Sequence, residues 1–192
     1  MSVPTEEQAS KFLAPLRRNL TILFLHEIQA KARVSHFLLR CASSHSLTTV
    51  VLDTDAFYCT NMDRLVDGSQ PIRGEVFLPP VTGFEIDSLV VLLSSKIDLL
   101  IIDDLNTLYS LASDTAKSQQ LTILMKLLSH NAKMNKTWVI ATAFKTDFEE
   151  NQGASRRSLT VLGDLLVDTE VSAGSMKLKA DLRDWANGQF VL

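Results

Sequence analysis

The sequence predicts an α/β domain with a mostly parallel central sheet, helices on both faces and antiparallel strands at the C-terminal edge. Three observations lead to this class. Nearly continuous apolar runs of strand length recur along the chain, which is typical of parallel strands buried on both faces. Segments with apolar residues spaced three and four apart separate these runs, as expected for covering helices. Short β-like segments without a helical face fill the end of the chain.

The predicted elements follow one another in a regular alternation. Runs rich in leucine and β-branched residues predict strands at Leu20–Leu25, Leu47–Leu52, Leu99–Ile102 and Trp138–Ala141. Amphipathic spacing predicts helices over Thr5–Arg18, Ile28–Ala42, Phe84–Leu93 and Gln120–Met134. Gly68–Gly83 contains three prolines and predicts a loop, and Leu159–Leu192 predicts short strands.

Composition excludes several classes of protein. The 192 residues are 46% hydrophobic and 21% charged, so a disordered chain is excluded. The formal net charge of −3 disfavours a strongly basic nucleic-acid binder. The longest apolar stretch, Leu89–Ile102, is interrupted by polar residues and is shorter than the roughly 20 residues of a membrane span. An acidic start without an apolar core and two distant cysteines, Cys41 and Cys59, predict an intracellular protein, cytoplasmic or nuclear, without a disulfide framework.

Polar residues follow three predicted strands at their carboxyl ends, where open parallel sheets bind ligands. The first strand leads into His26–Arg33, the second into Asp53-Thr54-Asp55, and the third into Asp103-Asp104. A magnesium–nucleotide site requires an acid at such a place, because the metal or its water needs a fixed oxygen ligand. Acids there also cap the helix or turn that follows. The sequence leaves both interpretations open.

The order of these pieces resembles the RecA-like ATPase core of the RecA, RadA and KaiC group, from about Asn19 to Leu192. Leu47–Asp55 looks like the family's second strand, which ends in Asp-Thr-Glu, and Asp98–Leu105 looks like its Walker B strand. The resemblance continues through Asn106–Tyr109, Ser118–Met134, Thr137–Ala143 and a final hairpin at Trp185–Leu192. It implies the P-loop NTPase fold, with an N-terminal helix over residues 1–18 and a single RecA-like domain over residues 19–192.

The sequence departs from this family at the phosphate loop. Such a loop needs glycines, whose backbone turns with positive φ and approaches phosphates closely, and then Lys and Ser or Thr. This chain has no glycine before Gly68, and the resemblance places Ala32 at the lysine position and Arg33 at the Ser/Thr position. Lys31 and Arg33 remain as loose charges for a phosphate, but the glycine cradle is missing.

Two other departures agree with the loss of the phosphate loop. Asp55 replaces a Glu that helps to position the attacking water, and Ala143 and Phe144 replace an Asn-Gln pair that senses the γ phosphate. The resemblance therefore implies neither a metal site nor a cofactor site within this chain. ATP and magnesium would bind only at an interface with a partner subunit. It implies no catalytic residue, leaving as remnants Asp53, Asp55, Asp103 and Asp104.

Two segments match the loops that contact DNA in recombinases, Ser110–Gln119 and Lys145–Ser158. The second segment offers Lys145, Arg156 and Arg157 to a phosphate, but an equal number of acids cancels their charge. Because phosphate binding depends on net positive charge, nucleic-acid binding is expected to be weak or to depend on a partner.

The resemblance implies a non-catalytic paralogue that modulates a RadA-type recombinase in DNA recombination and repair. The expected partner is a RecA-fold protein, within a hetero- or homo-oligomer. No association with a membrane is expected. One alternative is a structural subunit of another RecA-fold ring, such as the Elongator accessory complex of tRNA modification. The other is an enzyme, either a divergent ATPase using Lys31 or Arg33, or a phosphatase of the haloacid-dehalogenase type using Asp53 and Asp55.

Overall fold

Eight strands form one sheet in the part of the chain that the structure describes. This computed structural model describes residues 6–65, 73–77, 87–94, 96–112, 115–144, 162–172, 175–180 and 189–191. The strands are β1 (Leu20–Leu25), β2 (Thr49–Asp53), β3 (Gly74–Phe77), β4 (Leu99–Asp103), β5 (Trp138–Phe144), β6 (Leu165–Ser172), β7 (Ser175–Lys179) and β8 (Gln189–Val191). Their order across the sheet is β3-β2-β4-β5-β1-β6-β7-β8.

The sheet is parallel from β3 to β6 and antiparallel at the edge formed by the last strands. Each neighbouring pair from β3 to β6 is parallel, whereas β7 runs antiparallel to β6, and β8 runs antiparallel to β7. The predicted α/β class, with a mostly parallel sheet and an antiparallel C-terminal edge, is confirmed. Of the proposed final hairpin Trp185–Leu192, the described residues are those of β8.

Helices cover both faces of this sheet. They are α1 (Glu6–Leu16), α2 (Ile28–Ser44), α3 (Phe57–Leu65), α4 (Asp87–Ser94), α5 (Leu105–Leu111) and α6 (Thr115–Asn135). The buried side chains of α1, α2 and α3 belong to one apolar core, and those of α4, α5 and α6 belong to a second core. No helix among the described residues has both the length and the apolar character needed to cross a membrane.

Strand β1 demonstrates why the central strands are apolar throughout. Its alternate side chains point to opposite faces, so Leu23 and Leu25 enter the first core while Ile22 and Phe24 enter the second. Both neighbours of β1 are parallel strands, so each side chain along it is buried. A run without polar alternation is the expected signature of such a strand.

The prediction of a loop over Gly68–Gly83 is wrong for its middle part, because Gly74–Phe77 forms β3. This short edge strand pairs in parallel with β2, with Gly74 opposite Thr49. A Cβ atom on Gly74 would lie 1.8 Å from the Thr49 carbonyl oxygen, so only glycine allows this approach. The prolines and glycines of the segment hid a strand of four residues. The rest of the predicted loop lies outside the described residues.

Candidate functional site

The carboxyl ends of β1, β2 and β4 bring the predicted site residues together at one edge of the sheet. A short connection is decisive here: β1 ends at Leu25 and α2 begins at Ile28, so only His26 and Glu27 join them. The first turn of α2 therefore lies directly above the sheet edge. It directs Lys31 inwards, while Ala32 is exposed and Arg33 is half-buried.

Lys31 is an internal counter-ion for the acids at this edge. Its side chain is fully buried, and its Nζ lies 2.6 Å from Asp55 Oδ2 and 2.7 Å from Asp103 Oδ2. The ammonium also lies 4.8 Å from the centre of the Phe57 ring, a distance typical of a cation–π contact. The Lys31 ammonium is therefore paired inside the protein, which disfavours its proposed role as a loose charge for a phosphate. We call Lys31, Asp53, Asp55 and Asp103 the carboxyl-edge cluster.

The protonation of the cluster reflects a balance between burial and ion pairing. Burial by itself lowers the pKa of Lys31, but the charges and hydrogen bonds of Asp103 and Asp55 outweigh burial and raise it. Burial raises the pKa of Asp103 to about 7, although Lys31 opposes this change. Burial also acts to raise the pKa of Asp55, but the hydrogen bond from Lys31 holds it below the usual range. Lys31 and Asp55 are therefore ionised at neutral pH, and Asp103 shares in a titration near neutrality.

Two of these acids also hold the start of α3, as the capping interpretation predicts. Asp53 Oδ2 accepts a hydrogen bond from the backbone N–H of Cys59 at 2.8 Å, and Asp55 Oδ1 accepts one from the N–H of Phe57 at 3.1 Å. Asp53 is fully buried, and its second oxygen Oδ1 has no hydrogen-bond partner. Both carboxylates thus accept hydrogen bonds from the first turn of α3 and join it to the end of β2.

Asp104 acts as the N-terminal cap of α5 rather than as a ligand-facing acid. Its backbone is left-handed, with φ of 58°, and its carboxylate accepts hydrogen bonds from the Asn106 N–H and the Thr107 hydroxyl. Burial raises the pKa of Asp104, and its hydrogen bond from Thr107 opposes this change. The capping interpretation of the acid at this position is confirmed.

Threonine hydroxyls join the ends of β2, β4 and β5. Thr54 Oγ1 donates to the carbonyl of Asp103 at 2.5 Å. Thr142 Oγ1 accepts the N–H of Asp104 at 2.9 Å and donates to Asp103 Oδ1 at 3.1 Å. Sequence reasoning singled out Ala143 and missed Thr142, which contributes the polar side chain at this end of β5. The signal was a lone threonine within the apolar run of that strand.

Sequence reasoning also missed Tyr58, which lies in the first turn of α3 and is fully buried. Burial raises the pKa of its hydroxyl well above the ordinary value, and the charge of Asp103 acts in the same direction. Tyr58 therefore stays neutral, and its ring belongs to the first apolar core. Its position three residues after Asp55, at the start of the helix that follows β2, was the available signal.

The cluster has the ligand types of a divalent-cation site, but its arrangement does not fit one. Oxygens of Asp53, Asp55 and Asp103 lie within 4.8 Å of one another. A magnesium ion would need to approach such oxygens to about 2.1 Å. The Lys31 ammonium lies against two of the three carboxylates, so a second cation there would be repelled at close range.

The three residues proposed for nucleic-acid contact belong to a segment that the structure does not describe. Lys145, Arg156 and Arg157 are outside the described residues. The prediction of a loop over Ser110–Gln119 is wrong for most of its length, because α5 extends to Leu111 and α6 begins at Thr115.

Neither a protein-family model nor a curated protein matches this chain. The geometry of the site is that of a buried lysine paired with carboxylates at the carboxyl edge of a parallel sheet. Asp55 is the member of the cluster that reaches solvent, with its side chain 35% exposed. The arrangement stabilises charge within the fold and offers little surface for a reacting molecule.

Proposed function

We propose that this chain is a non-catalytic RecA-fold subunit that modulates a RadA-type recombinase in DNA recombination and repair. The position of Lys31 is the observation that supports the proposed loss of catalysis. Its ammonium lies between Asp55 and Asp103, where an active member of the group would need free carboxylates for magnesium. The recombinase assignment is supported by the resemblance at Leu47–Asp55 and Asp98–Leu105.

The β1–α2 connection argues further against nucleotide hydrolysis. A phosphate loop is about eight residues long and directs several backbone N–H groups at the phosphates. Here His26 and Glu27 alone separate the strand from the helix. Glu27 is extended at the start of α2 and adds a negative charge where a phosphate would approach. A connection of two residues cannot wrap around a triphosphate.

Strand order supports a RecA-like fold over the dinucleotide-binding fold. The dinucleotide-binding order 3-2-1-4-5-6 places β1 beside β2. In this sheet β4 and β5 separate β2 from β1, and β1 has β5 and β6 as its neighbours. The order is what supports the fold assignment, since no nucleotide fingerprint is present in the β1–α2 connection.

The burial of the acids speaks against the phosphatase alternative. A carboxylate nucleophile must reach a phosphorus atom in line with the leaving group. Asp53 is fully buried and one of its oxygens is engaged by the N–H of Cys59. Asp55 is partly exposed, but its Oδ2 is paired with Lys31.

The proposal is tested by strand exchange with a recombinase from the same cells, with the purified chain added at increasing ratios. We expect the chain to bind the recombinase, to change the rate of exchange, and to hydrolyse no ATP by itself. An Asp103→Asn variant prepared in parallel identifies contaminating ATPase, because contamination persists in the variant. A turnover that is present in wild type and lost in the variant would refute the non-catalytic assignment.

The same preparation separates the recombinase reading from the ring-subunit alternative. Binding to a labelled tRNA, with no effect on strand exchange, would transfer the chain to an RNA-modifying assembly. If the chain bound neither the recombinase nor the tRNA, the proposed role would be refuted.

A further inference from the structure

A cavity of about 400 Å³ lies at the amino ends of β2, β4 and β5. Its lining includes Thr48, Asp98 and Thr137, each of which directly precedes one of these strands. The carboxyl-edge cluster lies at the other end of the strands, so the two sites are separate. The volume is in the range of pockets that hold a small organic molecule.

The floor of this cavity is apolar. It is formed by four buried residues of the second core, Leu92, Leu100, Leu128 and Val139. They belong to α4, β4, α6 and β5, so four separate elements fix the position of the floor. Such a floor binds a hydrocarbon group by removing it from water, and it disfavours a ligand that is polar on every side.

The mouth of the cavity carries one charge of each sign. Of the described residues that line the cavity, Lys96 and Asp98 are the charged ones, and both are exposed. Neither of them forms an ion pair within the described part of the chain. Because the two charges cancel, the mouth does not select an anion or a cation alone. It fits a ligand that carries both charges.

Hydrogen bonds at the mouth leave two oxygens available to the cationic end of such a ligand. Asp98 Oδ2 accepts the N–H of Thr48 at 2.8 Å, whereas its Oδ1 accepts no hydrogen bond from a described residue. Asn135 Nδ2 donates to Asn131 Oδ1 one turn earlier on α6. Within the same part of the chain, no donor reaches Asn135 Oδ1. An ammonium group has three donors and would use both oxygens.

We propose that this cavity binds a free α-amino acid with an apolar side chain, of the class of leucine, methionine and phenylalanine. Lys96 takes the α-carboxylate, Asp98 and Asn135 take the α-ammonium, and the side chain packs on the apolar floor. A fatty acid or a simple amine would leave one of the two charges at the mouth without a partner. This site goes beyond the proposed role beside a recombinase and does not depend on it.

Calorimetric titration of the full chain with L-leucine and three analogues tests the chemistry of the ligand. Leucinamide lacks the carboxylate, isocaproate lacks the ammonium, and L-serine keeps both charges but lacks the apolar side chain. L-Leucine should bind saturably at one site per chain. Each analogue should bind at least about tenfold more weakly, because each loses either a charged hydrogen bond or the contact with the floor.

Two conservative variants assign each charge of the ligand to its partner. Lys96→Met should lower the affinity for L-leucine by at least about tenfold and leave that for leucinamide unchanged. Asp98→Asn keeps an acceptor for the N–H of Thr48, and it should weaken L-leucine by a similar factor but not isocaproate. Lys126→Met is the control, since Lys126 is exposed on α6 and does not line the cavity. It should leave binding unchanged.

Three results would overturn the proposal. No saturable binding of leucine, methionine or phenylalanine would show that the cavity is not an amino-acid site. Equal affinity for L-leucine and for leucinamide or isocaproate would show that the mouth does not recognise both charges. Affinity that is unchanged in both Lys96→Met and Asp98→Asn would place the ligand elsewhere. The comparison of analogues uses wild type alone, so it decides the matter even if a variant fails to fold.

Discussion

Lys31 and Asp103 form an ion pair in which both side chains are fully buried, with Nζ 2.7 Å from Oδ2. Lys31 lies in the first turn of α2, which follows β1, and Asp103 ends β4. Because β5 lies between β1 and β4 in the sheet, the pair joins α2 to a strand that is not adjacent to β1. Removal of water from two charges is costly, and their attraction offsets that cost only while both are present. The loss of either partner therefore leaves an uncompensated charge in the interior.

The first prediction follows from this asymmetry. Lys31→Met should lower the free energy of unfolding by about 3–5 kcal/mol, because Asp103 and Asp55 lose their counter-ion. Urea denaturation at about pH 8, where Asp103 is ionised, measures the change. Lys11→Met is the matched control, since Lys11 forms an exposed pair with Glu7 at the same distance of 2.7 Å, and its loss should leave the free energy of unfolding nearly unchanged.

A double variant separates charge from packing in this experiment. Lys31→Met combined with Asp103→Leu removes the pair and fills the space with apolar atoms, so it should recover part of the stability lost in Lys31→Met. A double variant whose loss equals the sum of the two single losses would mean that the two side chains do not interact.

The second prediction concerns pH. Burial keeps Asp103 protonated up to about pH 7 in the folded chain, whereas an aspartate in the unfolded chain loses its proton near pH 4. Between these values the folded state binds more protons, so the contribution of Asp103 to stability falls as pH rises from about 4 to 7. The free energy of unfolding of wild type minus that of Asp103→Asn should therefore be smaller at about pH 8 than at about pH 5, by more than about 1 kcal/mol. An equal difference at both pH values would contradict the assigned burial.

The third prediction is a gain of metal binding. Lys31→Ala removes the ammonium from beside Asp55 and Asp103 and leaves three carboxylates within 4.8 Å of one another. Saturating magnesium should then raise the free energy of unfolding of the variant by about 1–3 kcal/mol, while wild type should not respond. Adding Asp53→Asn to the variant should abolish the response. A wild-type chain that responds equally would mean that Lys31 does not occupy the site.

Much of the sheet could be predicted from the sequence, because strands buried on both faces leave uninterrupted apolar runs. The run Leu99–Ile102 became β4, and its acids were correctly placed at a carboxyl end. The role of Lys31 could not be predicted in the same way. Whether a lysine in the first turn of a helix faces solvent or carboxylates depends on the length of the connection before it and on which strands are neighbours. The resemblance to a phosphate loop drew attention to Lys31 for a different reason.

The fourth prediction tests the central position of β4. Leu100 and Ile101 point to opposite faces of the sheet and are both buried, Leu100 in the second core and Ile101 in the first. Either residue changed to Ala should cost about 2–5 kcal/mol in urea denaturation, because each change leaves a cavity in a packed core. Ile123→Ala, at an exposed position of α6, should cost less than about 1 kcal/mol. A loss below that value at both Leu100 and Ile101 would contradict a buried central strand.

The fifth prediction concerns Asp164, which holds β1 against α6 just before β6. Its Oδ2 accepts the N–H of Leu20 at 2.9 Å and the hydroxyl of Ser129 at 2.6 Å, and its Oδ1 pairs with Lys133. Burial acts to raise the pKa of Asp164, but these hydrogen bonds hold it below the ordinary value. Its contribution to stability is thus present above about pH 4 and is lost as pH falls through the depressed pKa.

Asp164→Ala should lower the free energy of unfolding by about 1–3 kcal/mol at neutral pH, because the N–H of Leu20 loses its acceptor. The loss should shrink as pH falls through the depressed pKa of Asp164, because the wild-type carboxylate then becomes protonated as well. Glu170→Ala is the control, since Glu170 forms an exposed pair with Lys179, and it should leave the free energy of unfolding nearly unchanged. Urea denaturation across this pH range measures both variants. A loss at Asp164 that is independent of pH would mean that packing, and not the carboxylate, joins α6 to β1.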